Sequence, residues 1–232
     1  RALVTRSAVL QSARAIETLS RLDTGDEGDV ARRRGFKLLA FINTHLERLP
    51  VDVDEFQPLL DDLEFTRALA KTAWMPVLRT AAHPQLPWAA RQSAVAAPEA
   101  LRPLKDMWLV SHCLGVLEGE LTCEPLVCAF GWAAPPRAPI VCAQLVQLAK
   151  IYSAATVSEL MLWNELCEPA YAQLTALAST PEFAPVETML RSRPCLWIDR
   201  DVGFLSPEHV AFSESTVASR YLMTSDETSD CL

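Results

Sequence analysis

Between residues 73 and 112 prolines stand at 76, 84, 87, 98 and 103, and no helix of ordinary length can pass through them. A proline inside a helix removes a backbone donor and clashes with the preceding turn. The middle of the chain must therefore be built from short pieces joined by ordered loops. WMPVL (74–78) and DMWLVS (106–111) read as short strands, with Pro76 on an edge strand that can spare its N–H. The stretch WMPVLRTAAHPQLPW, residues 74–88, places Trp74 and Trp88 around three prolines and holds no glycine. It reads as a structural corner in which Pro84 and Pro87 stiffen the return and both indoles pack against helices. Rigid prolines lower the entropy lost on ordering such a loop. The alternative is a stand-alone protein-interaction module using the Pro/Trp strip 74–88, since aromatic-lined grooves recognise extended peptides.

On either side of this interval the pattern is helical. Residues 1–22 place Leu3, Leu10, Ala13, Ile16 and Leu19 near one face, and TGDEGD ends the run. A second helix over 29–49 carries Val30, Phe36, Leu38, Leu39, Ile42 and Leu46 and stops before Pro50. A third, over 55–72, is capped by Asp52 or Asp54 and has Pro58 in its first turn. Further helices are predicted over 122–130, 139–152, 156–178 and 180–191. The rigid turn GWAAPPRAP follows the first, Thr156–Glu159 makes a capping box, and Pro169 should kink the third. Thr180-Pro181 reads as a cap followed by a first-turn proline. CLWI and HVAF then pair as a β-hairpin over 195–212, with DRDVG as the turn. The expected fold is mainly α (α+β), with helical bundle segments, a few short strands and a C-terminal β-hairpin. Its segments are an N-terminal helical part (1–72), a middle region (73–212) and a polar tail (213–232).

Half of the residues are hydrophobic and the formal net charge is −8. Residues 1–48 hold 9 Lys/Arg against 6 Asp/Glu, whereas the remainder holds 12 against 23. An acidic bulk repels phosphate, which argues against nucleic acid as a partner. Arg32-Arg33-Arg34 is the one basic cluster, and at helical spacing its members fan around the helix. No apolar run reaches the ~20 residues of a membrane span. The seven cysteines include no C-x-x-C pair and sit mostly in apolar stretches, as buried thiols of a reducing, cytoplasmic compartment do. The chain opens on Arg1 with no signal-peptide pattern and reads as part of something longer.

Chemistry-bearing motifs are sparse. The seven glycines form neither G-x-G-x-x-G nor a P-loop, so nucleotide binding and any other cofactor lack support. G-x-S-x-G and H-E-x-x-H are absent too, and no metal-ligand spacing occurs. His45 falls on the polar side of its helix, His83 in the proline loop and His209 in the hairpin. His112 and Cys113 are adjacent and would point to opposite faces of a strand, which argues against a Cys–His nucleophile. Asp61-Asp62 with Glu64, and Asp199 with Asp201, read as solvated faces or turns. The expectation is a protein that is not an enzyme, with no catalytic, cofactor-binding or metal residues.

The order of WMPVL, LPW, SAVAAPEALRPLKDMWLVSHCLGVLEGE, FGWAAPP, PIVCAQLVQL and PCLWIDRDVGFLSPEHVAF resembles the sacsin family. The likeness is to the region after the GHKL-type ATPase domain of a sacsin repeat, closest to the plant and green-algal sacsin-like giants. Trp74, Pro76, Pro87, Trp88, Arg102, Asp106, Trp108, Gly131, Trp132, Gln144 and Trp197 fall on the pattern, across about 74–212. Phe130 replaces a common leucine, and DRDVG is a longer turn than the family's usual one. The resemblance implies a segment of a large cytoplasmic chaperone or scaffold in protein quality control. It would couple an adjacent ATPase domain of the same chain to client proteins or chaperones. The ATPase's own motifs are absent, so no catalytic residue carries over.

Overall fold

Helix α1 (Arg6–Leu22) forms because Val9, Leu10, Ala13 and Ile16 recur on one face, and that face is at most 3% exposed. It packs against α2 (Gly28–His45), whose Ala31, Leu38, Leu39 and Ile42 are buried, and a 3-10 turn (Leu46–Arg48) ends the pair. A third helix, α3 (Asp62–Lys71), lays Phe65 and Leu69 onto α1. The computed structural model describes residues 4–22, 28–49, 62–79, 93–152, 163–199, 201–212 and 222–224. The predicted cap at Asp52 or Asp54, Pro58, and the capping box at 156–159 lie outside those residues.

The proline-rich middle does fold as short pieces. Strand β1 (Met75–Pro76) pairs antiparallel with β2 (Val95–Ala96), and β3 (Leu101–Arg102) pairs parallel with β4 (Gly115–Val116). A Val77–Leu117 bridge and the Leu78 N–H donated to the Val116 carbonyl (2.8 Å) join the two pairs. Pro76 is thus flanked on both sides rather than set on an edge: β2 lies beside it, and its carbonyl accepts the Glu118 N–H at 2.9 Å.

DMWLVS is not a strand. Leu104–Asp106 makes a 3-10 turn that continues into the single helical turn α4 (Met107–Val110), closed by the Ser111 N–H on the Met107 carbonyl at 3.0 Å. A short apolar run carries no period that separates the two states, and here burial of Met107 and Val110, three residues apart, decides for helix.

Helix α5 (Glu124–Ala129) ends in a Schellman cap: Trp132 N–H bonds the Val127 carbonyl at 2.9 Å and Gly131 N–H the Cys128 carbonyl at 3.0 Å. Gly131 occupies the left-handed position, φ +69°.

The chain divides into two units at Pro135–Pro136. In the first, α1, α2 and α3 share one core with the strands that follow them, from Val9 through Trp74 to Trp132. The second unit contains α6 (Ala138–Tyr152), α7 (Trp163–Leu177) and α8 (Ala184–Arg191). Val141, Leu145 and Leu148 form one stripe of α6 at helical spacing and are at most 1% exposed. Leu166, Cys167, Ala170 and Leu174 are buried on α7, which runs through Pro169. The last helix starts at Ala184, with Pro185 in its first turn, instead of at Thr180-Pro181. The Thr180 hydroxyl donates back to the Leu177 carbonyl at 2.7 Å, closing the previous helix and leaving no cap for the next.

The C-terminal hairpin also differs in pairing. Strand β5 (Leu196–Trp197) pairs with β6 (Phe204–Leu205), not with HVAF. Asp199 Oδ1 accepts the Asp201 and Val202 N–H groups, and Gly203 takes φ +79°, so the turn closes at once onto Phe204. HVAF instead supplies β7 (Val210–Phe212), which pairs with β8 (Leu222–Thr224) inside the stretch expected to be a polar tail. Eight helices and short paired strands among the described residues make the fold mainly α with minor β.

Candidate functional site

Three of the motif residues that the structure describes in the first unit, Arg102, Asp106 and Gly131, meet in one feature built on a buried arginine. Arg102 leaves β3 with its side chain 8% exposed. Its Nε donates to Asp106 Oδ2 at 2.9 Å, and Nη2 lies 2.7 Å from the same oxygen. Nη1 donates to the Gly131 carbonyl at 2.9 Å and Nη2 to the Ala134 carbonyl at 2.5 Å. The R-P-x-x-D spacing makes this possible: Pro103 starts the 3-10 turn, and that turn swings Asp106 back under the guanidinium. The positive left-handed residue at the end of α5 aims its carbonyl at the same group. Arginine suits the site because its planar fork satisfies several acceptors at once. The clamp ties the strand pair to the segment leaving α5. It is a fastening between two parts of the first unit.

Trp132 is 2% exposed and meets Phe130 edge-on, ring centroids 5.5 Å apart. Trp74 is wholly buried, and its Nε1 donates to the Leu69 carbonyl at 3.2 Å, which pins β1 to the end of α3. Pro76 is buried in the same layer. Trp108 is half-buried on α4 and does not join the clamp. Pro87 and Trp88, with His83, lie outside the described residues, so the strip 74–88 is described only at its N-terminal end. In the second unit Gln144 is wholly buried on α6. Trp197 is half-buried, packs on Phe204 (5.3 Å between centroids), and donates its N–H to the Tyr171 hydroxyl at 2.7 Å. That hydroxyl in turn donates to the Cys195 carbonyl at 2.9 Å, joining α7 to β5.

Burial sets the chemistry of the titratable candidates. His112 is 4% exposed, and desolvation holds it down at about 4, so it is neutral at physiological pH. Its Nδ1 lies 3.1 Å from Ser111 Oγ. The neighbouring Cys113 thiol is pushed up to about 12 by burial, and its Sγ leans on the Val110 carbonyl instead of on the imidazole. Both residues lie in the turn after α4 rather than on a strand. Burial likewise lifts Cys142 and Cys167 to about 12 and Cys195 to about 11, and raises Cys123. A thiol raised in this way is held in its protonated, less nucleophilic form at neutral pH. No group of three or more metal-binding side chains comes together among the described residues. His45 and His209 are exposed, His45 against the Phe41 ring and His209 beside Ser206.

The Arg32–Arg34 run does fan out. Arg32 turns inward, lies over the Phe36 ring and pairs with Glu118, its Nε 2.9 Å from Oε2, whereas Arg33 and Arg34 are exposed. Two of the concavities in the first unit border residues already named. One of about 350 Å³ lies beside the clamp, between Lys105, Leu121 and Trp132. The larger, about 510 Å³, runs between α1 and α2 with Arg34 and Lys37 on its rim. Sequence reasoning passed over that groove because its lining alternates small and apolar residues with no motif. Among the described residues no helix is long and apolar enough to cross a membrane. No protein-family model, curated protein or solved structure matches the chain.

Proposed function

We propose that this chain is a non-catalytic segment of a large sacsin-like chaperone or scaffold of the cytoplasm, linking a neighbouring ATPase domain of the same chain to clients or partner chaperones. The observation that carries the reading is the convergence of the resemblance motifs. Trp74, Arg102, Asp106, Gly131 and Trp132 come from three separated stretches, and between them they supply two large side chains of one shared core, Trp74 and Trp132, and one buried clamp. Residues that recur in order because they hold a unit together are what a repeat module requires. The raised thiols and neutral His112 support a structural role for the groups that chemistry would otherwise use.

The test is crosslinking mass spectrometry on the parent protein with ATP or ADP bound. Coupling predicts crosslinks from this segment to the ATPase domain, and to co-purified unfolded clients or chaperones, that change with nucleotide. Crosslinks indifferent to nucleotide, together with a client profile unchanged when the segment is deleted, would sink the reading.

A further inference from the structure

The groove between α1 and α2 has an apolar floor and a cationic rim. Val9, Ile16 and Leu38 line its floor and Phe41 one wall, while Ser12 and Ala15 keep the α1 side low. The volume of about 510 Å³ is in the range of sites that hold a ligand or a row of side chains. Its lining among the described residues contains no carboxylate, and Arg34 and Lys37 stand exposed at its edge. The surrounding charge has the same sign. Helices α1 and α2 carry seven arginines and lysines against two carboxylates, in a chain whose net charge is −8. A local positive field set over an apolar channel is complementary to one kind of surface, an apolar stripe with an acidic border.

We propose that this groove docks an amphipathic helix of another protein, its apolar stripe seated against Val4, Ala8, Ala15 and Phe41 above the buried floor of Val9, Ile16 and Leu38, and its acidic flank on Arg34 and Lys37. A helix suits the shape. Two packed helices leave a channel along their seam, and a third fills it with anchors at i, i+3, i+4 and i+7. A bilayer surface is flat and leaves a recessed floor empty. Nucleic acid would use the cations and gain nothing from aliphatic side chains. The proposal takes up the partner-binding half of the reading above but stands on residues 4–41, outside the motif stretch.

The test uses the full chain and a fluorescein-labelled helical peptide of about 18 residues, with leucines at i, i+3, i+4 and i+7 flanked by glutamates. Fluorescence polarisation should show saturable binding with Kd below about 1 mM. Reversing the rim (Arg34→Glu with Lys37→Glu) should weaken it at least about tenfold, and filling the channel with Ser12→Arg should do the same. All three positions are exposed, and circular dichroism checks that the fold is kept. A lysine-for-glutamate peptide should not bind. The proposal is overturned if no saturable binding occurs, if a scrambled peptide binds equally, or if the variants leave binding intact. It is also overturned if phosphatidylserine vesicles or a single-stranded oligonucleotide occupy the site while the peptide does not, or if the chain self-associates through it. Because no ATPase domain is present, failure here leaves the nucleotide-coupling reading standing, and the crosslinking result leaves this one standing.

Discussion

The Arg102 guanidinium lies 2.7 Å from the Asp106 carboxylate, with the two side chains 8% and 7% exposed. Desolvating such a pair costs much of what its attraction returns, so removing one member is worse than removing both. Asp106→Ala should destabilise the first unit by about 3–5 kcal/mol, since it strands a buried cation. Arg102→Lys should not rescue the wild-type value, because an ammonium cannot reach the Asp106 carboxylate and the Gly131 and Ala134 carbonyls in one plane. The double change Arg102→Leu with Asp106→Leu should recover more than half of the Asp106→Ala loss. Urea titrations of the set check this order, and a double variant as unstable as the worse single one would contradict it.

Trp74 makes a different kind of contribution. It is 0% exposed, and its one polar atom is bonded to Leu69. Trp74→Ala should cost about 3–5 kcal/mol, and Trp74→Phe less, because the ring is largely replaced and one hydrogen bond of about 1 kcal/mol is lost. A tryptophan used for binding would show the reverse, near-native stability with lost affinity. Denaturation midpoints of the two variants discriminate between these outcomes.

How far the sequence reveals this fold is instructive at particular residues. The α6 stripe of Val141, Leu145 and Leu148 was legible because a 3.6-residue period needs no distant partner. The burial of Trp74 is legible because the proline-stiffened strip that follows it, with Pro76, Pro84 and Pro87, reads as a structural corner whose indoles pack inward. The Arg102 clamp was only half legible. The i, i+4 spacing to Asp106 is local, but the Gly131 and Ala134 carbonyls lie 29 and 32 residues away. The C-terminal strand pairing is hidden for a different reason: Trp197 pairs with the nearer Phe204 rather than with HVAF, a choice set by how tightly Asp199 and Gly203 close the turn. The groove left no trace, since concavity is a property of how two helices meet.

Two glycines should respond in opposite ways to intuition. Gly35 lies inside α2, where alanine normally stabilises by about 1 kcal/mol. A Cβ there would come within 2.6 Å of the Trp74 carbonyl oxygen, which is backbone and cannot step aside. Gly35→Ala should therefore be net destabilising, by about 1–3 kcal/mol, as overpacking outweighs propensity. Gly131 has φ +69° with nothing within 4 Å of its Cβ position, so Gly131→Ala meets only backbone strain of about 1–2 kcal/mol. Asparagine, which tolerates that conformation, should recover part of the loss at 131 and none at 35. Thermal midpoints of the four variants settle it.

The thiols sort by exposure. Cys128 is exposed, whereas Cys123, Cys142, Cys167 and Cys195 are buried and Cys113 is half-buried with its thiol pushed up to about 12. In a Cys231→Ser background, Ellman's reagent at neutral pH should label Cys128 first and the other five only at the rate of opening. Fast labelling of Cys113 would mean an activated thiol and reopen a catalytic role for the His112–Cys113 pair.

His112 should make stability depend on pH. Burial lowers its protonation from the ordinary 6.5 to about 4. As pH falls below 6.5 the unfolded chain takes up a proton at this position that the native state refuses until near 4. The unfolded state then binds more protons, so stability falls with falling pH across that window, and the loss stops growing below it. A separation of this size corresponds to about 3 kcal/mol between the two limits. The informative quantity is the difference between the wild type and His112→Gln, in which contributions common to both cancel. Glutamine keeps a polar side chain at the site without a titrating proton. The variant should lose stability at pH 7, where the neutral imidazole packs well, and lose much less of what remains between pH 6.5 and 4. Urea denaturation at half-unit pH steps gives both curves, and parallel curves over that window would show that His112 takes up its proton as readily in the fold as out of it.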